Sequence, residues 1–486
     1  MVMGLSIIFF LLLTLIPAVY VWLLTRKSSP NKTKNFSVQN SKLPPGRKGW
    51  PIIGESLDYF SKLKQGQGYK FLTERLKKYS SNAFMTSLLG EPMVVFCTAE
   101  GNKFLFSNEK KLVQLWWPST TSKIFPKSED GSNNQHWFAI HKLLQLILKA
   151  DGLREYVGIM DAIMKEHLQK YCNSEQVNVG DMAKSYLLTI SSNIFLGIND
   201  PEKIETLANR LENIESGIQS MPINFPGTAM NRAIKASRLI CKDLNVTIRQ
   251  RRIDLLGQRS PSGKDFMSIL LLAKDDNGQF FRDEDISSHL VGFLTASFST
   301  VQSTILSIMK YLAELPEVYN SVLKEQETIA NGKEPNDMLT WEDLRKMKYS
   351  WNVACEVLRI LTPGIGGFRE VITDFTYEGY TIPKGLKIHW TFDATHKNPR
   401  YFQDPEKFDP SRFQGDGPAP YTFVPFGGGP RMCPGNEYAR VATLTFLHNM
   451  VTRYTWEKLI PDEKIIHIPA PRPAQGLPIL LHPHNP

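Results

Sequence analysis

The chain has 486 residues, 42% of them hydrophobic and 22% charged, with no internal repeat or low-complexity tract; no linker divides it, and it reads as one large globular body. Its formal charge of +9 comes from basic residues scattered along the chain. No basic helix or aromatic–basic interleaving is present, which argues against a nucleic-acid partner. The five cysteines lie far apart and form no C-x-x-C pair, so neither a zinc site nor a dithiol motif is supported, and the odd, sparse count argues against a disulfide framework.

From Val2 to Thr25 there is no charged residue. As a helix this run is about 36 Å long, against a hydrocarbon core of about 30 Å. Arg26, Lys27, Lys32 and Lys34 follow it, and the positive-inside rule keeps the downstream chain cytosolic. A cleaved secretory peptide needs a basic start and a shorter apolar run. Residues 1–25 are therefore expected to be an uncleaved single-pass anchor, with the endoplasmic reticulum as its membrane. Residues 26–54 form a basic connector ending in the stiff, Pro- and Gly-rich LPPGRKGWPIIG. Residues 55–486 are left for the body.

Along the body, Met85–Cys97 predicts a β-hairpin turning at Gly90-Glu91. Leu115, Trp116 and Trp117 offer an apolar wall. The polar runs Phe125–His136, Gly257–Lys264 and Ile329–Asp337 read as surface loops. Met221–Met230 is an apolar loop suited to dipping into a membrane. Leu290–Met309 carries no charge but seven hydroxyl side chains, which favours a long helix buried in protein over a second membrane span. Glu356 and Arg359 stand at i,i+3 on one helix face. Phe375–Tyr377, Tyr380–Ile382 and Lys387–Trp390 predict short strands, punctuated by Gly379 and Pro383-Lys384-Gly385.

Residues Phe426–Gly435 read FGGGPRMCPG. A single cysteine packaged in glycines, with a cation two residues before it, suits axial ligation of a haem iron, because a thiolate pushes electron density onto the metal and favours O–O cleavage. The glycines are expected to let the backbone pass close to a flat macrocycle. Arg431 offers a fork of donors to a haem carboxylate.

The pattern F-x-x-G-x-R-x-C-x-G, at Phe426, Gly429, Arg431, Cys433 and Gly435, resembles the haem-binding signature of the cytochrome P-450 monooxygenases. The resemblance implies the cytochrome P-450 fold, mainly α with small β-sheets, and haem b with Cys433 as its axial thiolate. It implies a buried Glu356–Arg359–Arg412 network, Arg369 on a haem propionate, and Pro363–Phe368 along the substrate cavity. Trp137 matches a propionate-binding tryptophan, while His141 stands where an arginine is usual and is a weaker, pH-sensitive donor. Leu290–Met309 corresponds to the helix over the distal haem face. There Thr300 matches the hydroxyl beside the O₂ site, but Ser299 replaces the usual acid. Cleaving O₂ consumes two protons, and a serine can pass protons but cannot store them.

Several segments, among them WPIIGE, GNKFLFSNEKKLVQLWWPS, INFPGTAMNRAIKA and PDEKII, are similar to the plant triterpenoid-oxidising branch, which includes beta-amyrin oxidases and dammarenediol hydroxylases. The similarity runs from about Leu43 to the C-terminus. It implies a hydrophobic triterpenoid substrate of oleanane, ursane or dammarane type, O₂, a lipid bilayer, and electrons from NADPH through NADPH–cytochrome P-450 reductase. The basic charge suits an anionic membrane face or an acidic electron donor. Two alternatives stay open: an O₂-independent haem-thiolate isomerase or dehydratase, and a non-catalytic haem protein that binds terpenoids.

Overall fold

The computed structural model describes residues 42–484, apart from 51–52, 126–132, 219, 221–222, 257–264, 276, 335–336 and 468–469, with the backbone alone at 133–138. The anchor, the connector up to residue 41, the loop Gly257–Lys264 and part of the loop Phe125–His136 lie outside the described residues. From Lys42 onward the connector is docked on the body. Pro45 O accepts from Met85 N at 2.8 Å, and Glu55 N donates to Ser87 O at 2.8 Å.

Helices dominate, and the longest, Asp283–Glu314, runs through the main core. Asp283, Glu284 and Asp285 fill its first turn, where negative charge complements the helix dipole. It stops at Leu315 because Pro316 follows and opens the next helix, Pro316–Ala330. It is long and apolar enough to cross a membrane, yet 72% of its most apolar window is buried inside the body. Several of its hydroxyls are absorbed locally. Thr295 donates to Val291 O at 2.8 Å, and Thr304 donates to Thr300 O at 3.1 Å. This central helix packs against Val179–Leu196, Pro201–Ile218, Ala229–Leu256, Lys348–Ile360 and Asn436–Val451. Burying each Leu, Ile or Phe in such a core contributes about 1.5–3 kcal/mol.

The strands form small sheets at the edges. The largest has the order Ala83–Leu88, Glu91–Phe96, Lys387–Trp390, Gly367–Val371, Val113–Leu115. Its first hairpin turns at Leu89-Gly90, one residue earlier than the sequence suggests, since Leu88 pairs with Glu91. Both turn residues have positive φ, 56° and 81°, as a two-residue hairpin turn demands. Lys387–Trp390 does not extend the neighbouring hairpin Phe375–Tyr377/Tyr380–Ile382; it runs parallel to Glu91–Phe96 instead.

Candidate active site

Cys433 sits on a loop that closes on itself. Its N–H donates to Phe426 O at 2.9 Å, and Gly427 N donates to Val424 O at 3.0 Å. Gly427 and Gly429 have φ of +70° and +65°, a region only glycine adopts cheaply. The close contacts that demand glycine come from protein. A Cβ on Gly428 would lie 2.4 Å from the Phe106 ring, and one on Gly429 would lie 2.4 Å from Phe106 O. These two residues thus pack directly against the helix Ala99–Ser107. Gly435, the N-cap of helix Asn436–Val451, stands 3.7 Å from Cys433 Sγ, measured from where its Cβ would be. The Cys433 side chain is accessible, yet protein surrounds it closely enough that burial raises its thiol pKa, with the Gly435 backbone hydrogen bond opposing.

Beside this loop Arg431 and Arg369 converge on one carboxylate. Arg369 Nε donates to Glu109 Oε2 at 2.6 Å, and Arg431 Nε donates to Glu109 Oε1 at 3.2 Å. Burial lowers the Arg431 pKa, with Arg369 adding to the effect and Glu109 opposing it. His141 is buried near Arg431. Burial first, then that guanidinium, pushes its pKa down to about 4. Both effects favour the neutral imidazole. The Trp137 side chain lies outside the described residues.

Glu356, Arg359 and Arg412 form one buried network. Arg359 grips Glu356 through two bonds, Nε to Oε2 at 2.7 Å and Nη2 to Oε1 at 2.9 Å, and Arg412 Nε reaches Oε1 at 3.3 Å. Asp409 N donates to the same Oε1 at 2.8 Å, and Arg359 Nη1 donates to His396 O at 2.9 Å. His396 extends the network to the cysteine loop. Val424 N donates to His396 Nε2 at 3.0 Å, so the proton sits on Nδ1, which faces Thr362 Oγ1 at 3.0 Å. Burial and Arg359 push the His396 pKa down to about 3, which keeps that acceptor free to receive.

On the opposite wall, Ala296 and Thr300 are the exposed residues of the central helix between Asp285 and Ala313. They lie one turn apart, with Gly292 a turn before, and a Cβ on Gly292 would meet nothing within 4 Å. Gly292, Ala296 and Thr300 thus form an i, i+4, i+8 stripe that faces open space. The Thr300 hydroxyl donates to Ala296 O at 3.0 Å. Ser299, one residue earlier, is buried and turned toward helix Pro201–Ile218, where its hydroxyl stabilises the charged form of Glu215. Of the residues expected along the substrate cavity, Phe368 is buried and stacked on His389 at 4.8 Å, with Trp116 edge-on to it at 6.0 Å. Glu109, His396 and Glu215 were missed in the sequence, where they sit in polar stretches that look solvated.

The cytochrome P450 family model matches residues 44–480. The chain is a cytochrome P450. Its relatives include beta-amyrin 28-monooxygenases of Vitis vinifera, 49% identical over 91% of this chain and 93% of theirs, and of Solanum lycopersicum, 50% identical over 91% and 93%. A beta-amyrin 16-beta-monooxygenase of Platycodon grandiflorus is 49% identical over 93% and 95%. The retinoic-acid-bound cyanobacterial P450 CYP120A1 superposes with a TM-score of 0.80 at 29% identity, covering 91% of this chain and all of that one.

As a P450 the chain is a haem-thiolate monooxygenase, and its residues fit the haem. The Cys433 thiol is accessible, and the two guanidiniums that meet at Glu109, one of them on the same loop, match a carboxylate-bearing macrocycle. Cys433 would supply the axial thiolate, and Arg369 and Arg431 the propionate contacts. When bound, the haem supplies the O₂ chemistry, fed by reductase-delivered electrons.

Proposed function

We propose that this P450 oxidises a membrane-borne triterpene of the beta-amyrin type in plant triterpenoid biosynthesis. The observation that carries this reading is identity near 49% across nine-tenths of the chain to enzymes named for beta-amyrin. Those names specify positions 28 and 16, so the reading extends to the skeleton and leaves the carbon to experiment. The open stripe Gly292–Ala296–Thr300 supports it, since a rigid polycycle needs a flat wall without protruding side chains. Ile223 and Phe225 are 55% and 67% exposed in the loop between helices Pro201–Ile218 and Ala229–Leu256, which suits a loop lying in lipid. We further assign residues 1–25 as the single-pass anchor in the endoplasmic reticulum, residues 26–54 as connector, and NADPH–cytochrome P450 reductase as electron donor.

The protein's own contribution is binding and proton handling. Cys433, Arg369 and Arg431 would hold and orient the cofactor, and Thr300 on the central helix would offer a hydroxyl to the O₂ chemistry the haem supplies. Expression in yeast with a plant reductase, feeding of beta-amyrin and dammarane skeletons, and mass spectrometry test the reading. Oxidised beta-amyrin is the expected product. Absence of any oxidised triterpene from protein that shows the red-shifted carbon monoxide Soret band overturns it.

A further inference from the structure

Glu215 is a carboxyl in a place that needs explanation. It lies on helix Pro201–Ile218, 9% exposed, and its Oε1 is buried without a hydrogen-bond partner. The nearest cation, Arg472 Nη1, stands 3.6 Å from Oε1, beyond a hydrogen bond. Arg472 comes from the short strand Arg472–Pro473, which the central helix tethers by a hydrogen bond from Ser303 to Pro471 O. Ser303 is one turn beyond Ser299 on the same face. Three elements therefore meet around Glu215, and Ser299, next to Thr300 on the central helix, lies near enough to lower its pKa.

A buried carboxylate with an unsatisfied oxygen and a single loose ion pair is costly in its charged form. Burial raises the Glu215 pKa, while Arg472 and Ser299 oppose it and Glu212 adds to it. Glu212 itself is paired with Lys184. The carboxyl can thus hold a proton and give it up, the property of a reservoir. The monooxygenase reaction needs one: R–H + O₂ + 2e⁻ + 2H⁺ gives R–OH + H₂O, and both protons must reach the O₂ side of the cavity.

We propose that Glu215 supplies protons to the cavity through the Ser299 hydroxyl toward Thr300, placing on a neighbouring helix the acid that position 299 lacks. Glu215 gives a proton to Ser299 Oγ as Ser299 passes its own hydroxyl proton toward the cavity at Thr300. The carboxylate left behind is stabilised by Arg472, whose side chain is 28% exposed and opens the route by which solvent returns the proton. No bond other than O–H changes in the relay.

The inference rests on the monooxygenase reaction and is independent of which triterpene is oxidised. Its test uses the full-length holoenzyme with its reductase. Hydrogen peroxide released per NADPH consumed is followed with any compound that shifts the haem spin state, so failure of the substrate assignment leaves the test intact. Glu215→Gln keeps the shape and removes the proton; it should lower coupling about tenfold and raise the solvent isotope effect. Ser299→Ala cuts the relay with Glu215 in place and should do the same, which guards against a folding defect in the first variant. Ser299→Asp in the Glu215→Gln background should restore coupling, which a carboxyl that merely braces Arg472 would not allow. Independently of turnover, infrared difference spectra of the resting protein between acid and neutral pH should contain a protonated-carboxyl band that Glu215→Gln removes. Normal coupling in Ser299→Ala, or no restoration by Ser299→Asp in protein with full haem content, overturns the proposal.

Discussion

The wall that carries Cys433 and the wall formed by the central helix differ in how their polar groups are satisfied. Behind the cysteine, Glu356, Arg359, Arg412 and His396 bind one another and the backbone, and the bonds reach Val424 two residues before the loop. Such a network fixes one geometry, and losing any member strands the rest. On the central helix, the stripe Gly292–Ala296–Thr300 presents little side chain, and Glu215 on a helix packed against it keeps a buried oxygen unpaired. An over-determined wall holds a cofactor in one place; an under-filled one leaves room for substrate and for protons to move.

The largest expected effect lies in the first wall. Glu356→Ala leaves Arg359 buried with backbone carbonyls as partners, and should cost about 3–5 kcal/mol, read by denaturant unfolding, with haem per chain falling in parallel. A loss near zero would show that this wall tolerates defects as the other does. His396→Leu removes the acceptor for Val424 N–H and should cost about 1–3 kcal/mol. The same histidine gives a signed pH dependence. Unfolded, it takes a proton near its ordinary 6.5; folded, burial delays this to about 3. Stability should be flat above pH 7 and fall as pH drops through that window, by at most about 1.4 kcal/mol per pH unit for this group. His141, held down to about 4, adds its own share, so His396→Leu should reduce the slope without abolishing it. Unfolding measured between pH 4 and 8 (about the working range) checks both statements.

The smallest effect on stability belongs to the open stripe. Gly292→Ala places a methyl where nothing stands within 4 Å, so stability should hold or rise by up to about 1 kcal/mol from helix propensity. The ratio of oxidised products should shift, because the methyl enters the cavity. Loss of stability instead would mean that Gly292 is packed, and the contrast between the walls would weaken.

Much of the first wall was legible because its signals are local. The spacing around Cys433 is a chemical pattern in ten residues, and Glu356 and Arg359 share a helix face at i,i+3. An uncharged run with seven hydroxyls was enough to expect the central helix. Other expectations needed the partner to be seen: Gly428 and Gly429 make room for Phe106, and Phe368 belongs to a core stack.

What the chain determined by itself is therefore the thiol loop, the i,i+3 pair and the long apolar helix, each set by neighbours in sequence. The fold alone decided which ordinary-looking charges became buried. Glu212 and Glu215 sit three residues apart on one amphipathic helix, yet their side chains are 49% and 12% exposed. Burial depends on what packs against a side chain, and for Glu109, His396 and Glu215 the partners come from distant segments: Arg431, Val424 and Arg472. Desolvation then lowers the His396 pKa and raises that of Glu215, an effect that no local pattern encodes.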